Sequence, residues 1–421
     1  MSRDVAVVIP TRNRAELLDS TLAALAGQDY LDFEIVVADH GSTDSTAAII
    51  RDWSGRLRLC HVPLSPDRRS SGWVRDEGVR RTSASTLIFL DCGMLVAKGF
   101  VRAHRDHHRT RGRVGIGMCH GYRVFGQPDW SLTPSTQVSG LQRMFEADSA
   151  LRDERSGVRG LDQLNAPWVY GWGGNLSVGQ ELYARAGGFD RDREHTYEDI
   201  DLAYRLHAHG GQFGIVDQGW AVHLPHPSAP IGERMRATYA GWLLSYSRYR
   251  SLGMESAWLA LPHPLAWRQQ ASEYGVRCDT MMSFLERSTA TVSPTGVTAS
   301  QLGIDGSALL VGGHPADASG FRYVACGRHV IESNDRVWGC AGILIPLAAG
   351  ELDCVVVTDF WRYLGAASGH VRLLDRLIAE IARVGKEAIF LNATGTALPG
   401  VLTTEDLAAA CNRQGLSWSL R

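Results

Sequence analysis

Small residues and carboxylates stand close together in the middle of this chain. The run Trp172-Gly173-Gly174-Asn175 precedes Gly187-Gly188-Phe189-Asp190, and the acidic segment Glu198-Asp199-Ile200-Asp201-Leu202 follows. A carboxylate within hydrogen-bond reach can take a proton from a bound hydroxyl, and an indole ring can pack on the apolar face of a sugar. Glycines beside such groups let a ligand approach the backbone. The stretch therefore predicts a site that holds a sugar and removes a proton next to it.

The elements that would position these residues alternate between strand and helix patterns. Four short apolar runs are separated by segments with helical spacing of leucine and isoleucine; the runs are residues 5–9, 33–38, 57–62 and 86–91. This order is typical of a parallel sheet wound with right-handed crossovers. Ligands of such sheets bind beyond the carboxyl ends of the strands. We therefore expect a binding site formed by residues 10–14, 39–42 and 91–93.

The first half of the chain resembles the family 2 glycosyltransferases, which have the GT-A fold. The resemblance covers about residues 4–230 and rests on six segments in the family's order and spacing. They are Val7-Val8-Ile9-Pro10-Thr11-Arg12-Asn13-Arg14, Val36-Val37-Ala38-Asp39-His40-Gly41-Ser42-Thr43-Asp44, Trp73-Val74-Arg75-Asp76-Glu77-Gly78, Phe89-Leu90-Asp91-Cys92-Gly93, and the two segments that start at Trp172 and Glu198. The resemblance implies transfer from a nucleotide-diphospho-sugar, most of all a UDP-sugar, by in-line displacement at the anomeric carbon.

On the acceptor side, the resemblance implies that Asp199 is the base that takes the acceptor proton. Glu198 would orient this base or bind an acceptor hydroxyl, and Asp201 would cap or orient the helix that follows. The implied sugar and acceptor contacts come from Trp172, Gly173, Gly174 and Asn175. Two structural interpretations stay open: an acidic first helical turn favoured by the helix dipole, and a core tryptophan at Trp172.

On the nucleotide side, the resemblance implies that Asp39 accepts a hydrogen bond from the imide N–H of uracil, a group that thymine also presents. Arg75 would neutralise diphosphate charge through its planar fork. The other implied nucleotide contacts are Pro10, Thr11, Arg12, Arg14, Ser42 and Asp91. A strand-end cap at Asp39 and a solvated helix position for Arg75 stay open as structural alternatives.

Metal binding is the point where this sequence departs from the family. Asp91 is the first carboxylate of the family's Asp-x-Asp pattern, but Gly93 stands at the position of the second. Asp91 and His223 are the candidate ligands for Mn²⁺ or Mg²⁺, which would act as a Lewis acid on the leaving diphosphate. The lost carboxylate argues against metal dependence, and a His223 without any ligand stays an alternative.

A change of composition at residues 288–296 predicts a boundary between two domains, 1–287 and 297–421. In the second domain an amphipathic helix is predicted at 373–384 and strands at 308–313, 321–325, 342–347, 354–358 and 388–391. This smaller α/β domain weakly resembles a class I methyltransferase. Its first strand ends in Gly312-Gly313-His314-Pro315, which lacks that family's third glycine. We therefore expect a degenerate module for acceptor docking or dimerisation, and S-adenosylmethionine as an unfavoured cofactor.

The composition is that of an ordinary soluble globular protein. Charged residues make up 21% and the net charge is -2, so no basic field favours nucleic acid. The 8 cysteines form no Cys-x-x-Cys pair, as expected of reduced core thiols. The chain start lacks a signal-peptide pattern, and no run reaches the roughly 20 apolar residues of a membrane span. We expect a cytoplasmic protein.

Three hypotheses follow from the sequence. The first is an inverting glycosyltransferase with a small-molecule, carrier-bound or peptide acceptor, acting in bacterial secondary-metabolite or glycan biosynthesis. The second is a bifunctional enzyme that also methylates, which binding of S-adenosylmethionine would reveal. The third is a non-catalytic scaffold that only binds sugar nucleotides. The presence of Asp199 favours catalysis over the scaffold.

Overall fold

The computed structural model describes residues 4–67, 70–123, 151–193, 196–264, 266–290, 294–327, 333–366, 373–391 and 402–421. These residues form two compact units. Unit 1 comprises Met1–Gly241 and Pro262–Gly275, and unit 2 comprises Trp242–Leu261 and Val276–Arg421. Packing thus places residues 242–261 and 276–287, which the predicted boundary assigned to the first domain, in unit 2. Separate domains divided near residue 288 stay a prediction.

Unit 1 is built on a seven-stranded sheet and a smaller three-stranded sheet. The strands of unit 1 are β1 (Val5–Thr11), β2 (Phe33–Asp39), β3 (Leu59–Pro63), β4 (Thr86–Leu90), β5 (Met94–Val96), β6 (Arg113–Ile116), β7 (Cys119–His120), β8 (Asn175–Gly179), β9 (Gln212–Ile215) and β10 (Ala221–His223). The large sheet has the order β3-β2-β1-β4-β8-β6-β9 and the small one β5-β10-β7. The four predicted strands are confirmed, and they pair in parallel.

The helices of unit 1 pack their apolar faces on this sheet. They are α1 (Ala15–Ala26), α2 (Thr46–Trp53), α3 (Ser71–Val79), α4 (Phe100–His107), α5 (Gln180–Arg185) and α6 (Glu198–Ala208). The leucines of α1 show why the sequence pattern works: Leu18, Leu22 and Leu25 are fully buried against the β-branched residues of β1 and β2. The Ser70 hydroxyl accepts from the Trp73 amide and so fixes where α3 begins.

The direction of β8 creates the edge at which the candidate residues meet. β8 runs antiparallel to β4, with Leu90 opposite Asn175. The amino end of β8 therefore lies beside the carboxyl ends of β1, β2 and β4. This brings the segment before Asn175 next to Asp91, although the two are far apart in sequence.

Four helices follow β10 in the sequence and precede the strands of unit 2. They are α7 (Ile231–Tyr249), α8 (Leu252–Leu259), α9 (Trp267–Gln270) and α10 (Tyr274–Ala290). The later elements are β11 (Ala308–Val311), β12 (Tyr323–Ala325), β13 (Val337–Trp338), β14 (Leu352–Val357), α11 (Leu373–Val384), β15 (Gly385–Phe390), α12 (Thr404–Gln414) and β16 (Trp418–Leu420). The sheet order is β13-β12-β11-β14-β15-β16, and all neighbours are parallel. In doubly wound sheets with this order, the order in which the strands are added reverses at the pair that corresponds to β11 and β14, and ligands bind beside that point.

The turn after β11 is filled by an aromatic side chain. Gly312 has a φ of 66°, and a Cβ added there would lie 2.2 Å from the ring of Phe360. Phe360 is fully buried, and the Thr358 hydroxyl donates to the Gly312 carbonyl at 2.7 Å. The glycine therefore makes room for a ring of the chain itself. The resemblance of this unit to a methyltransferase stays a prediction.

The strand that we predicted at residues 342–347 is wrong. This segment is a loop whose amides face a buried carboxylate: Ala341 donates to Glu255 Oε2 at 2.7 Å and Leu344 to Oε1 at 3.0 Å. The apolar residues fit a strand pattern, but their amides bind Glu255 in place of a neighbouring strand. The Tyr246 hydroxyl fixes the same loop by donating to the Leu344 carbonyl at 2.6 Å.

Glu255 is expected to make unit 2 less stable as the pH rises. Burial raises the pKa of Glu255 to about 7, and the backbone amides offset only part of that shift. The folded chain therefore holds a proton that the unfolded chain releases near pH 4.5, so stability falls between about pH 4.5 and 7 by on the order of 3 kcal/mol. Urea unfolding across this range should show a shallower pH dependence for Glu255→Gln than for the wild type.

A surface carboxylate of the same unit provides the control. Glu387 is exposed on β15, and Glu387→Gln should keep the wild-type pH dependence. Equal pH profiles for Glu255→Gln and the wild type would contradict the assignment.

Within the described residues, no helix combines the length and apolarity needed to cross a bilayer. All eight cysteines are free thiols, and seven of them are buried. This confirms the expected core thiols.

Candidate active site

A buried arginine joins the two halves of the candidate site. Arg75 on α3 donates from Nη2 to Asp91 Oδ1 at 2.8 Å and from Nη1 to Glu198 Oε1 at 2.9 Å. Only 7% of its side chain is exposed. The nucleotide-side carboxylate that follows β4 and the acceptor-side carboxylate that begins α6 are therefore held by the same guanidinium. The solvated helix position that we left open for Arg75 is wrong.

Two glycines pack directly against the carboxylates. A Cβ added to Gly173 would lie 3.0 Å from Asp199 Cβ, and one added to Gly174 would lie 3.1 Å from Asp91 Oδ2. The Gly173 amide also donates to Asp199 Oδ2 at 2.8 Å. We predicted that these glycines let a ligand approach the backbone. The structure shows that they first make room for the protein's own acidic side chains and fix the orientation of Asp199.

The guanidinium of Arg75 is the positive charge that three nearby carboxylates share, those of Asp91, Glu198 and Asp199. Burial raises the pKa of Glu198 above its ordinary value, the adjacent Asp199 raises it further, and Arg75 opposes both effects. Burial alone lowers the pKa of Arg75, but Asp91 and Glu198 outweigh it and the guanidinium stays charged. Removing that charge would leave the carboxylates facing one another.

The backbone before α6 is held in an unusual conformation. Tyr197 has a φ of 84°, in the left-handed region that non-glycine residues rarely adopt. A Cβ added to Gly241 would lie 1.9 Å from the Thr196 carbonyl oxygen, so close packing of α7 against this turn requires glycine. Asp201 is fully buried between Arg193 and Arg205, at 2.8 and 2.9 Å. As predicted, it anchors α6.

A cavity of about 430 Å³ lies at the carboxyl ends of β1 and β4. It brings together six of the predicted nucleotide contacts, which are Pro10, Thr11, Arg12, Arg14, Arg75 and Asp91. His40, Ser71, Val74 and Cys92 complete the lining. The predicted residues thus converge from three separate segments of the sequence.

Asp39 and Ser42 do not line this cavity and instead build the loops around it. Asp39 is buried; its Oδ1 accepts from the Ser42 amide at 3.0 Å and its Oδ2 faces His61 Nε2 at 3.2 Å. The Ser42 hydroxyl accepts from the Asn13 amide at 2.9 Å and so ties the loop after β2 to the loop after β1. Asp39 thus closes the loop after β2 and does not cap the following helix, because α2 begins only at Thr46 with Ser45 at its N-cap position. The helix-capping interpretation of Asp39 is wrong. Each of its oxygens keeps a second lone pair, so an imide contact stays a prediction.

Trp172 is packed against a buried ion pair. The guanidinium of Arg155 lies 4.1 Å from the centre of the Trp172 ring. Arg155 is itself fully buried, pairs with Asp153 at 2.7 Å, and donates to the carbonyls of Tyr170 and Gly117. One face of the indole is thus covered by protein. The predicted sugar stacking on this ring is therefore confined to the other face.

Asn175 is placed differently from our expectation. It is fully buried, and its Nδ2 donates to the carbonyls of Gly219 at 2.8 Å and Met118 at 3.2 Å. A Cβ on Gly117 would overlap its side chain. The predicted hydrogen bonds from Asn175 to donor-sugar hydroxyls are therefore wrong, because the amide is used to join three segments of unit 1.

A second cavity, of about 260 Å³, adjoins the first. Its charged and titratable lining is Arg14, Asp91, Tyr122, Arg123, His223, His226 and Arg234. Burial and the neighbouring His226 lower the pKa of His223 to about 4, so its imidazole is neutral at physiological pH. Arg14 and Asp91 line both cavities, and they mark the place where the two meet.

The residues around this junction do not fit a resident divalent cation. The predicted ligands Asp91 and His223 do line one cavity, but the described part of the chain contains no group of three His, Cys, Asp or Glu side chains that could hold a metal ion. Asp91 is paired with Arg75, and Gly93, with a φ of 94°, occupies a conformation that an aspartate would adopt only with strain. Hard cations such as Mg²⁺ prefer several oxygen ligands.

The sequence motifs missed Arg123, Arg155 and Arg234. Arg123 and Arg155 lie outside regular elements and Arg234 lies in the first turn of α7, so only long-range folding brings the three to the site. The sequence gives one general signal for them: of its 43 lysine and arginine residues, all but Lys98 and Lys386 are arginine, a side chain suited to phosphate recognition.

Residues 6–149 match the model of the protein family described as Glycosyl transferase family 2. The chain is 34% identical over 241 residues to validoxylamine A glucosyltransferase of Streptomyces hygroscopicus subsp. jinggangensis (strain 5008). The aligned region covers 53% of this chain and 56% of that protein. It is 27% identical over 239 residues to chondroitin synthase of Escherichia coli, and that aligned region covers 53% of this chain and 35% of the synthase. The chain thus spans about half the length of the first relative and less of the second.

Two solved structures show a more distant likeness. S. aureus TarS 1-349 in complex with UDP-GlcNAc has 17% identity and a TM-score of 0.44, covering 70% of this chain and 76% of that chain. The mannosyltransferase PcManGT from Pyrobaculum calidifontis, in complex with GDP-Man and Mn²⁺, has 17% identity and a TM-score of 0.40. The likeness covers 70% of this chain and 77% of that chain. At these TM-scores the likeness adds no weight to the assignment.

The α/β sheet with carboxylates at its edge is the architecture that the sequence predicted. Residues 6–149 match the family 2 glycosyltransferase model, the family that the six sequence motifs predicted.

Proposed function

We propose that the chain is an inverting glycosyltransferase that moves a sugar from a UDP-sugar to a small-molecule acceptor. The observation that carries the proposal is the Arg75 bridge between Asp91 and Glu198, at 2.8 and 2.9 Å. It places the cavity of the predicted nucleotide contacts next to the Glu198-Asp199 pair. Donor and acceptor groups bound on either side of Arg75 would meet at these carboxylates.

In the proposed reaction, an acceptor oxygen attacks the anomeric carbon while the bond from that carbon to the diphosphate oxygen breaks. UDP leaves on the opposite face, which inverts the configuration, and Asp199 accepts the acceptor proton. The amide of Gly173 holds Asp199 Oδ2 and leaves its remaining lone pairs for the acceptor. Glu198 stays paired with Arg75 and positions the base.

The donor and acceptor classes draw on the relatives. The name validoxylamine A glucosyltransferase supports a glucosyl donor and a small-molecule acceptor of secondary metabolism. Tyr122 and Trp267 lie near Trp172, with ring centres 6.1 and 6.3 Å from its own. This aromatic group is suited to the apolar face of a sugar or cyclitol.

A screen of nucleotide sugars by thermal unfolding tests the donor class. We expect UDP-glucose to stabilise the protein, because a ligand at a hundred times its Kd adds about 2.7 kcal/mol to the folded state. GDP-mannose serves as the matched non-uridine donor. Stabilisation by GDP-mannose alone would overturn the choice of base, and no stabilisation by any nucleotide sugar would overturn the proposed function.

Unit 2 has no catalytic role in this proposal. Phe360 fills the turn after Gly312, where a nucleotide-binding sheet of this order would approach its ligand. We propose that the unit serves acceptor docking or dimerisation. Calorimetry with S-adenosylmethionine on the full chain would detect the cofactor binding that a second, methylating activity requires.

A further inference from the structure

We propose that three arginines, Arg14, Arg123 and Arg234, bind the donor's diphosphate and take the place of a divalent cation. The inference rests on the proposed function, since it takes a nucleoside diphosphate as the ligand. It adds two residues, Arg123 and Arg234, for which the sequence motifs gave no role.

The position of the three arginines follows from the two adjoining cavities. Arg14 lines both the 430 Å³ cavity and the 260 Å³ cavity, whereas Arg123 and Arg234 line only the smaller one. A nucleoside in the larger cavity would extend its phosphates past Asp91 toward the smaller. The diphosphate would then lie between Arg14 on one side and the pair Arg123 and Arg234 on the other.

The backbone and side chains hold these arginines in place. Arg14 precedes α1, and its carbonyl accepts from the Leu18 amide at 2.9 Å. Arg234 lies in the first turn of α7, and its Nη2 donates to the Arg123 carbonyl at 2.9 Å. The two segments that carry Arg123 and Arg234 are thereby joined. Their guanidinium groups come from elements that are 111 residues apart in sequence.

The charge around the smaller cavity favours an anion. Among the described residues that line this cavity, three carry guanidinium groups and one, Asp91, carries a carboxylate, whose Oδ1 is already paired with Arg75. His223 and His226 add no negative charge. Guanidinium groups bind phosphate oxygens through paired, charge-assisted hydrogen bonds.

The same charges oppose a divalent cation at this place. An Mn²⁺ or Mg²⁺ ion would stand beside three positive side chains with one shared carboxylate as its counter-charge. The residue that would supply the second carboxylate is Gly93. Arginine side chains and metal ions can both neutralise the charge of a leaving diphosphate, and at this cavity the chain supplies arginines.

The decisive experiment is calorimetric binding of UDP to the full-length chain in EDTA and, separately, in Mn²⁺. We expect Kd values that agree within about twofold, because no metal bridge would be lost. Metal-dependent binding, abolished by EDTA and restored by Mn²⁺, would overturn the inference and leave the proposed function standing. Absence of UDP binding in both conditions would overturn the inference together with the proposed donor.

Substitutions identify the groups that bind the second phosphate. Arg234→Met and Arg123→Met should each weaken UDP binding roughly tenfold or more, and weaken UMP binding much less. Arg236→Met, two positions along α7 at an exposed site, is the matched control and should bind UDP as the wild type does. Arg234→Lys keeps a charge and guards against misfolding of the methionine variant. Wild-type UDP affinity in both methionine variants would overturn the inference.

Discussion

Asparagine at position 199 is expected to lower the turnover number for sugar transfer by about 10²- to 10⁴-fold, the usual contribution of a general base. The side chain is nearly the same size, and its oxygen can still accept from the Gly173 amide, which lies 2.8 Å from Asp199 Oδ2. The substitution therefore removes the proton acceptor without removing the contact that orients it. UDP affinity, measured by calorimetry, should stay within about twofold of the wild type.

Asp192→Asn is the control for this substitution. Asp192 is exposed and lies in the same acidic region before α6. It should transfer sugar at the wild-type rate, measured by product formation under saturating donor. Equal rates for Asp199→Asn and the wild type would exclude Asp199 as the base. A wild type that binds UDP but neither transfers nor hydrolyses the donor would favour the scaffold hypothesis.

The second large effect is expected at Arg75, and it is an effect on stability as well as on activity. Arg75→Met leaves Asp91 and Glu198 without their shared counter-charge, and 88% of the Glu198 side chain is buried. Breaking a buried pair in this way costs about 3 to 5 kcal/mol, and the partial exposure of Asp91 favours the lower end of that range. The free energy of unfolding in urea measures the loss. Transfer activity should fall below detection.

A double substitution separates the charge from the packing of this arginine. Arg75→Met combined with Glu198→Gln should be more stable than Arg75→Met alone, because it removes a carboxylate that has lost its partner. Arg80→Met is the matched control on the same side of the sheet. Arg80 is 59% exposed and pairs with Asp76 over one helical turn, so its loss should change stability by less than about 0.5 kcal/mol. No recovery in the double variant would contradict a charge effect.

The sequence allowed the large sheet of unit 1 to be predicted for a simple reason. Strands such as β1 and β4 are buried on both faces, so they appear as unbroken apolar runs that are distinct from the helices between them. The prediction failed at residues 342–347, where an equally apolar run binds Glu255 through its amides. A run of apolar residues reports burial, and it does not report which group receives the backbone hydrogen bonds.

The site could be predicted only where a short segment carries its own signal. Asp91, Glu198 and Asp199 were found from local motifs, and the structure brings them together through Arg75. Asn175 was misplaced, because its motif gives no sign that its side chain faces inward. Arg234 had no motif at all, since its position beside Asp91 depends on how α7 packs.

The glycine turn at the end of β11 shows how one signal can serve two purposes. A glycine after a buried strand is commonly taken as space kept for a phosphate or a cofactor. Here Phe360 occupies that space, and the ring belongs to the hydrophobic interior of unit 2. A ligand could enter this turn only after Phe360 had left the interior, and exposing a buried phenylalanine side chain costs about 1.5 to 3 kcal/mol. Any binding at this end of β11 would therefore weaken the folded state of unit 2.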